Sequence, residues 1–414
     1  MIETKTLNCG IRLVTEALPY VKSVSMGVWV RAGAVRESAR RAGISHFIEH
    51  MLFKGTAKRT AKQIAEDVDR LGGQINAFTG KEATCYYLKT LRPNFLKAAE
   101  ILSDMLLHSK FDREEMDKER RVIREEIKMI EDSPEDDIHD MICEQVFHGA
   151  SLAKSVIGVP STLAGITPAA IRAYMKRLYT SGNIVLAVAG DFDAAEVERE
   201  LESLFSGLPS GREEASPDCA AYAPRSRFKV KDIEQSHICM GLRGVALEDE
   251  RYYPLMLLNN IMGGSMSARF FQNIREQKGL AYSVYSSASS FTSDGIYSIY
   301  AAVAHDKVKE TAEAIREELA KLKKDGVTRD ELDTAKEQMK SHYIFGQENV
   351  NGRMFSIGKN FLLLNKVFTP EEVVAKIDGV TWERIHEAAE SITDVPMYSI
   401  AAISRTRQNR NRLL

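Results

Sequence analysis

Apolar residues recur along the chain with two periods, one helical and one extended. Behind Thr60, a potential N-cap, Ile64, Val68 and Leu71 fall at i, i+4 and i+7, and Gly72-Gly73 closes the run; this predicts a helix up to Leu71. Alternation predicts a strand over Val24–Ala32, with Val28 and Val30 on one face, after a hairpin-like start around Asn8-Cys9-Gly10. Residues 36–54 read as helical and 74–79 and 83–90 as strands around Gly80-Lys81. Long helices are expected at 93–108 and 113–131, followed by a shorter one from Pro134. Thr167-Pro168 opens a further helix, Asn183–Gly190 is an unbroken apolar strand, and a last helix runs to Phe205.

Residues 206–227, rich in Ser, Pro, Gly, Ala and charge, lose this periodicity and read as a linker between domains at 1–210 and 222–414. The second half repeats the order of the first. It has strands at 227–231, 236–244, 281–290, 295–304 and 396–404, with helices at 251–262, 306–323, 328–345 and 381–391. Letters repeat too. Arg113-Glu114-Glu115-Met116-Asp117 matches Arg329-Asp330-Glu331-Leu332-Asp333 at an offset of 216, and Ile166-Thr167 matches Val380-Thr381 at 214. The expected fold is α+β: two homologous halves, each a mostly antiparallel sheet with helices packed on one face.

Composition narrows the function. Lys and Arg number 56 against 58 Asp and Glu, which argues against a nucleic-acid binder that relies on a basic surface. No apolar run approaches the roughly 20 residues of a membrane span. Five scattered cysteines (Cys9, Cys85, Cys143, Cys219, Cys239) form neither a CxxC pair nor a disulfide framework, which fits a reduced setting. The opening residues show no basic segment followed by an apolar core, so a bacterial cytoplasmic protein or a mature chain is expected.

One motif carries chemistry: His46-Phe47-Ile48-Glu49-His50. On a helix, positions i and i+4 share a face, so both imidazoles can reach one ion, with Glu49 beside them. This is the H-x-x-E-H order. Nine histidines and 58 acids in 414 residues give about 0.03 chance matches, so the motif is specific. Two neutral imidazoles suit Zn²⁺, and a catalytic zinc wants a third protein ligand and an open position. The helix over Asp112–Ile130 offers Glu114, Glu115, Glu119, Glu125 and Glu126. Glu119 and Glu126 lie two turns apart on one face, where Val122 and Ile123 could hold the stripe against the core. Spacing alone does not choose among Glu119, Glu125 and Glu126.

The motif with its continuation Met51-Leu52-Phe53-Lys54-Gly55-Thr56, Leu71–Thr79 (LGGQINAFT) and Glu119–Glu126 (ERRVIREE) resembles the pitrilysin-like, or inverzincin, zinc metallopeptidases. The likeness is closest to their processing-peptidase branch and covers essentially the whole chain. It implies one Zn²⁺ per chain, held by His46, His50 and a Glu 76 positions after the second His, Glu126. Glu49 would be the general base and Glu119 a supporting acid. It also implies that Asn76, Ala77 and Phe78 form a strand edge to which a peptide adds. Arg275 and Tyr282, after Gly263-Gly264, would bind the same peptide, although on residues alone that region reads as a helix-ending turn and a half-buried strand. The second half has Ala335 and His342 where the first has Glu119 and Glu126, so it is expected to be metal-free. The implied activity is hydrolysis of peptides or unstructured, presequence-like segments in a closed chamber. A homodimer, or a heterodimer with an inactive paralogue, would complete the chamber. The alternative is a non-catalytic core subunit of a larger assembly.

Overall fold

The computed structural model describes residues 2–214, 221–394 and 397–407, so residues 215–220 of the linker, with Cys219, and 396 of the last expected strand lie outside the described residues. Eleven strands are described: β1 Ile2–Thr6, β2 Arg12–Ala17, β3 Ser23–Val30, β4 Gln74–Thr79, β5 Thr84–Leu91, β6 Ile184–Gly190, β7 Ser226–Val230, β8 Ser236–Arg243, β9 Ala281–Ser290, β10 Gly295–Val303 and β11 Ser399–Ser404. In the first half the helices are α1 Ile44–Leu52, α2 Ala61–Arg70, α3 Phe95–His108, α4 Arg113–Asp132, α5 Pro134–Val146, α6 Pro160–Ala164, α7 Pro168–Leu178 and α8 Ala194–Phe205. The second half adds α9 Tyr252–Gly263, α10 Val308–Asp325, α11 Arg329–Gln347, α12 Val350–Leu364, α13 Pro370–Asp378 and α14 Trp382–Thr393. No helix among the described residues is long and apolar enough to cross a membrane.

The fold is α+β, with one sheet in each of two compact units. The first unit comprises the described residues of Met1–Ile127, Lys154–Ser216 and Ile344–Pro370. Its sheet runs β1-β2-β6-β3-β5-β4, antiparallel except for the β2–β6 pair. The unbroken apolar run becomes β6, buried along its whole length between β2 and β3. Alternate β3 residues Val24, Met26, Val28 and Val30 join Ile44, Phe47 and Ile48 of α1 and Ala99 and Leu102 of α3 in the main core. At the other end β4 is an edge strand, with Gln74, Asn76 and Phe78 exposed and Ile75, Ala77 and Thr79 half-buried.

The opposite face of this sheet is covered as well. The hydrophobic pattern left 350–364 without an element, yet α12 packs there against β6, β3 and β2. The contact is close because it has a glycine on each side, Gly358 on α12 and Gly27 on β3. A Cβ at Gly358 would lie 2.2 Å from Trp29 Nε1, and one at Gly27 would lie 2.5 Å from Met354 Sδ. The buried Glu16 carboxylate and Arg353 guanidinium pair beneath the helix. Gly358→Ala overpacks this contact. We expect it to lower the free energy of unfolding by about 1–3 kcal/mol, read as a lower midpoint in urea.

The second unit comprises the described residues of Lys128–Ala153, Pro217–Tyr343 and Glu371–Leu414. Its sheet runs β7-β11-β8-β10-β9, antiparallel except for β7–β11. Here α5 packs on β8 and β11, and a Cβ at Gly241 would meet Ile142 at 2.6 Å and Val146 at 2.9 Å. The compact units therefore differ from the contiguous spans 1–210 and 222–414: residues 344–370 belong with the first sheet and 128–153 with the second. The reason is local. Small residues on each sheet admit a helix that arrives from a distant stretch of chain. Cys9, Cys85 and Cys239 are free thiols.

Candidate metal centre

Two helices of the first unit build the site. Residues 36–54 do not form one helix. Short 3₁₀ turns occupy 34–36 and 39–41, and Gly43, at φ 90°, separates them from α1. Ile44, Phe47, Ile48, Met51 and Leu52 bury one side of α1, which turns His46, Glu49 and His50 to a half-buried face. On α4 the buried stripe is Met116, Glu119, Ile123 and Ile127. Glu126 lies along its margin, and Val122 lies further round, 45% exposed rather than packed on the core as expected.

These elements bring His46, His50 and Glu126 together, with one ligand atom of each within 4.8 Å of the others. Glu126 Oε2 is 3.5 Å from His50 Nε2 and 3.9 Å from His46 Nε2. This carboxylate oxygen is buried and has no hydrogen-bond partner. A buried acceptor facing two imidazole nitrogens calls for a shared cation, and two His with one Glu is a donor set that suits zinc. Glu119 is not among these ligand atoms. Its Oε2 lies 3.0 Å from His50 Nδ1, and its Oε1 accepts a 2.7 Å ion pair from Lys54. With Nδ1–H donated to Glu119, His50 presents the Nε2 lone pair toward Glu126. The exposed Glu125 takes no part in the cluster.

The electrostatics match. Burial, with the His50 ring beside it, pushes the His46 imidazole down to about 4, so it is neutral at neutral pH and free to act as a ligand. Burial raises the Glu49 carboxyl, and Glu126 adds to the rise; a hydrogen bond from Thr79 and the nearby His50 oppose it. Thr79, on β4, donates its hydroxyl to Glu49 Oε2 at 2.5 Å. Sequence reasoning gave no role to Thr79 or Lys54. Thr79 carries a faint signal, because it falls in the half-buried register of β4 with Ile75 and Ala77.

Of the remaining candidates, Asn76, Ala77 and Phe78 lie on edge strand β4, where the Ala77 N–H donates to the Asn76 side chain at 2.8 Å. Arg275 and Tyr282 lie in the second unit and stack together. The Arg275 guanidinium sits 5.4 Å from the Tyr282 ring centre and 4.6 Å from that of Phe271. The bland reading of a half-buried strand residue does not hold for Tyr282, which is 73% exposed.

Residues 12–159 match the family described as insulinase (peptidase family M16), and residues 165–339 match the peptidase M16 inactive domain. The chain is 41% identical over 404 residues, 98% of each chain, to the uncharacterized zinc protease YmxG of Bacillus subtilis (strain 168). It is 38% identical over 387 residues, 93% of each, to an uncharacterized zinc protease of Rickettsia felis. Among solved structures, a peptidase M16 inactive domain from Pseudomonas fluorescens superposes with a TM-score of 0.92 at 18% identity, over 99% of both chains. A protease from Helicobacter pylori does so with 0.88 at 21% identity, over 98% of this chain and 99% of that one. At such identities the structures speak to the fold alone.

Proposed function

Because the chain belongs to the M16 peptidase family, we propose that it is a zinc-dependent endopeptidase that hydrolyses peptides or unstructured, presequence-like segments. The observation that supports this most is the buried, unpartnered Glu126 Oε2 facing His46 and His50. In this reading His46, His50 and Glu126 hold one zinc. When bound, zinc supplies a Lewis acid that polarises the scissile carbonyl and makes water acidic enough to give up a proton near neutral pH.

The chain's own residues do the rest. Thr79 fixes Glu49 through Oε2, which leaves Oε1 as the oxygen that takes the proton from the attacking water and returns it to the leaving amine. A carboxyl raised by burial is a stronger base than a solvated one, which suits it to both transfers. Glu119 holds His50 in the ligating tautomer. Glu119→Gln is expected to weaken zinc binding about 10–100-fold, read by competition with a chromophoric chelator. The edge of β4 accepts the substrate as an added strand, through main-chain hydrogen bonds at Ala77 that replace its N–H bond to the Asn76 side chain, with Phe78 beside it. Arg275 and Tyr282 of the second unit offer hydrogen-bond donors for peptide binding. A second copy of the chain completes a chamber around the substrate, and mass in solution tests that part.

The test of the reading is cleavage of an internally quenched peptide. Activity should disappear with a chelator and return with zinc. Equal cleavage with and without the chelator would count against it.

A further inference from the structure

The two imidazoles of the site are held differently. His50 is oriented by a direct bond from Nδ1 to Glu119. His46 Nδ1 is buried and has no partner, so that ring takes its direction from packing and from the backbone beneath it. His46 is the third residue of α1, and the first helical bond runs from Phe47 N to Gly43 O. The orientation of His46 therefore depends on how the first turn of α1 is fixed.

That turn cannot cap itself. Its N-cap residue is Gly43, which has no side chain, and α1 has no side-chain cap of its own. A residue with a side chain would be strained there by the φ of 90° and crowded, since a Cβ would lie 2.6 Å from Ile157 O. The missing acceptor comes from six residues upstream. Glu37, 3% exposed, accepts the Gly43 N–H on Oε2 at 2.6 Å and the Ser45 N–H on Oε1 at 2.8 Å. In an ordinary capping box the N-cap side chain takes an N–H of the first turn and a second side chain takes the N–H of the N-cap residue. Here one carboxylate does both, at the end of the helix where a negative charge is favoured. Glu37 is itself held. Lys154 donates its ammonium to the Glu37 carbonyl, and Val35 N–H bonds Lys81 O at 2.9 Å, at the turn that follows β4. Ser45 adds a buried 2.7 Å hydrogen bond to Tyr174.

We propose that Glu37 is a positioning residue for the metal centre: it sets the first turn of α1 and thereby aims His46, as Glu119 aims His50. This rests on the reading of the site as a zinc centre.

The test compares wild type, Glu37→Gln and Glu37→Ala. Three quantities are read: the zinc dissociation constant by chelator competition, the visible spectrum of the cobalt-substituted protein, and unfolding of the metal-free chain. Glu37→Ala should bind zinc about 10–100-fold more weakly and show an altered cobalt spectrum, with a cooperative unfolding transition retained. Glu37→Gln keeps the volume and one acceptor but turns an amide N–H toward a backbone N–H. It should weaken zinc about tenfold. A purely structural role would lower stability and leave the zinc constant and the spectrum of the folded fraction unchanged; that result overturns the proposal. Failure of both variants to fold would overturn it too, because the carboxylate would then serve the fold at large. If the wild-type chain itself bound no zinc, the functional reading would fall and this proposal with it.

Discussion

Glu49→Gln should reduce peptide hydrolysis by about 10²–10⁴-fold or more while about one zinc per chain stays bound. The amide keeps the size of the side chain and can still receive the Thr79 hydroxyl, but it cannot accept a proton from water. Its ligand neighbours do not depend on it, since the clustered atoms belong to His46, His50 and Glu126. The loss should appear in kcat rather than in KM. The pH dependence has a definite sign. Glu49 must be ionised to act as a base, so activity should rise with pH on the acid limb as its carboxyl, raised by burial, loses its proton. Loss of zinc together with activity would assign Glu49 a structural role instead.

Glu126→Gln should remove the metal itself. The substitution takes the negative charge from the carboxylate oxygen that faces both imidazoles and leaves two neutral nitrogens to hold the ion. We expect a fall in zinc affinity larger than the about 10–100-fold anticipated for Glu119→Gln, with hydrolysis lost unless zinc is in excess. Glu125→Gln is the control. That side chain is exposed and outside the cluster, and its replacement should leave zinc content and turnover unchanged. Metal content by elemental analysis after gel filtration reads both. Full zinc occupancy in Glu126→Gln would remove it from the ligand set.

The three glutamates show how far the sequence could be read. Helical periodicity puts Glu119 and Glu126 on one face of α4, but composition favours a solvated acid for any single Glu and does not pick the ligand. The fold distinguishes them. Glu119 lies beside His50 Nδ1 and Lys54, whereas Glu126 faces the two Nε2 atoms. Val122 falls outside the core because the buried stripe runs through Met116, Glu119, Ile123 and Ile127, about a quarter turn away. Other elements were hidden for different reasons. Helix α12 has glycines at 352 and 358 and little polar face, because it lies flat on a sheet, so it has neither a clean amphipathic stripe nor good local propensity. The break at Gly43 was hidden inside a run of plausible helix formers. Its cap, Glu37, is too far upstream for any local capping signal to show it.

The same distance limits what could be read of the domains. The repeated order of elements was visible in the letters. The placement of α5 with the second sheet and α12 with the first was not, because it depends on which sheet offers glycines opposite an apolar helix face. Strand β4 was legible as a strand, and its edge position follows from the pairing order.

The most direct measurement is anomalous diffraction at the zinc absorption edge from crystals of the zinc-loaded protein. A single strong peak is expected within about 2.0–2.2 Å of His46 Nε2, His50 Nε2 and a Glu126 carboxylate oxygen. A peak at some other set of side chains, or none at these three under saturating zinc, would contradict the assignment of the site.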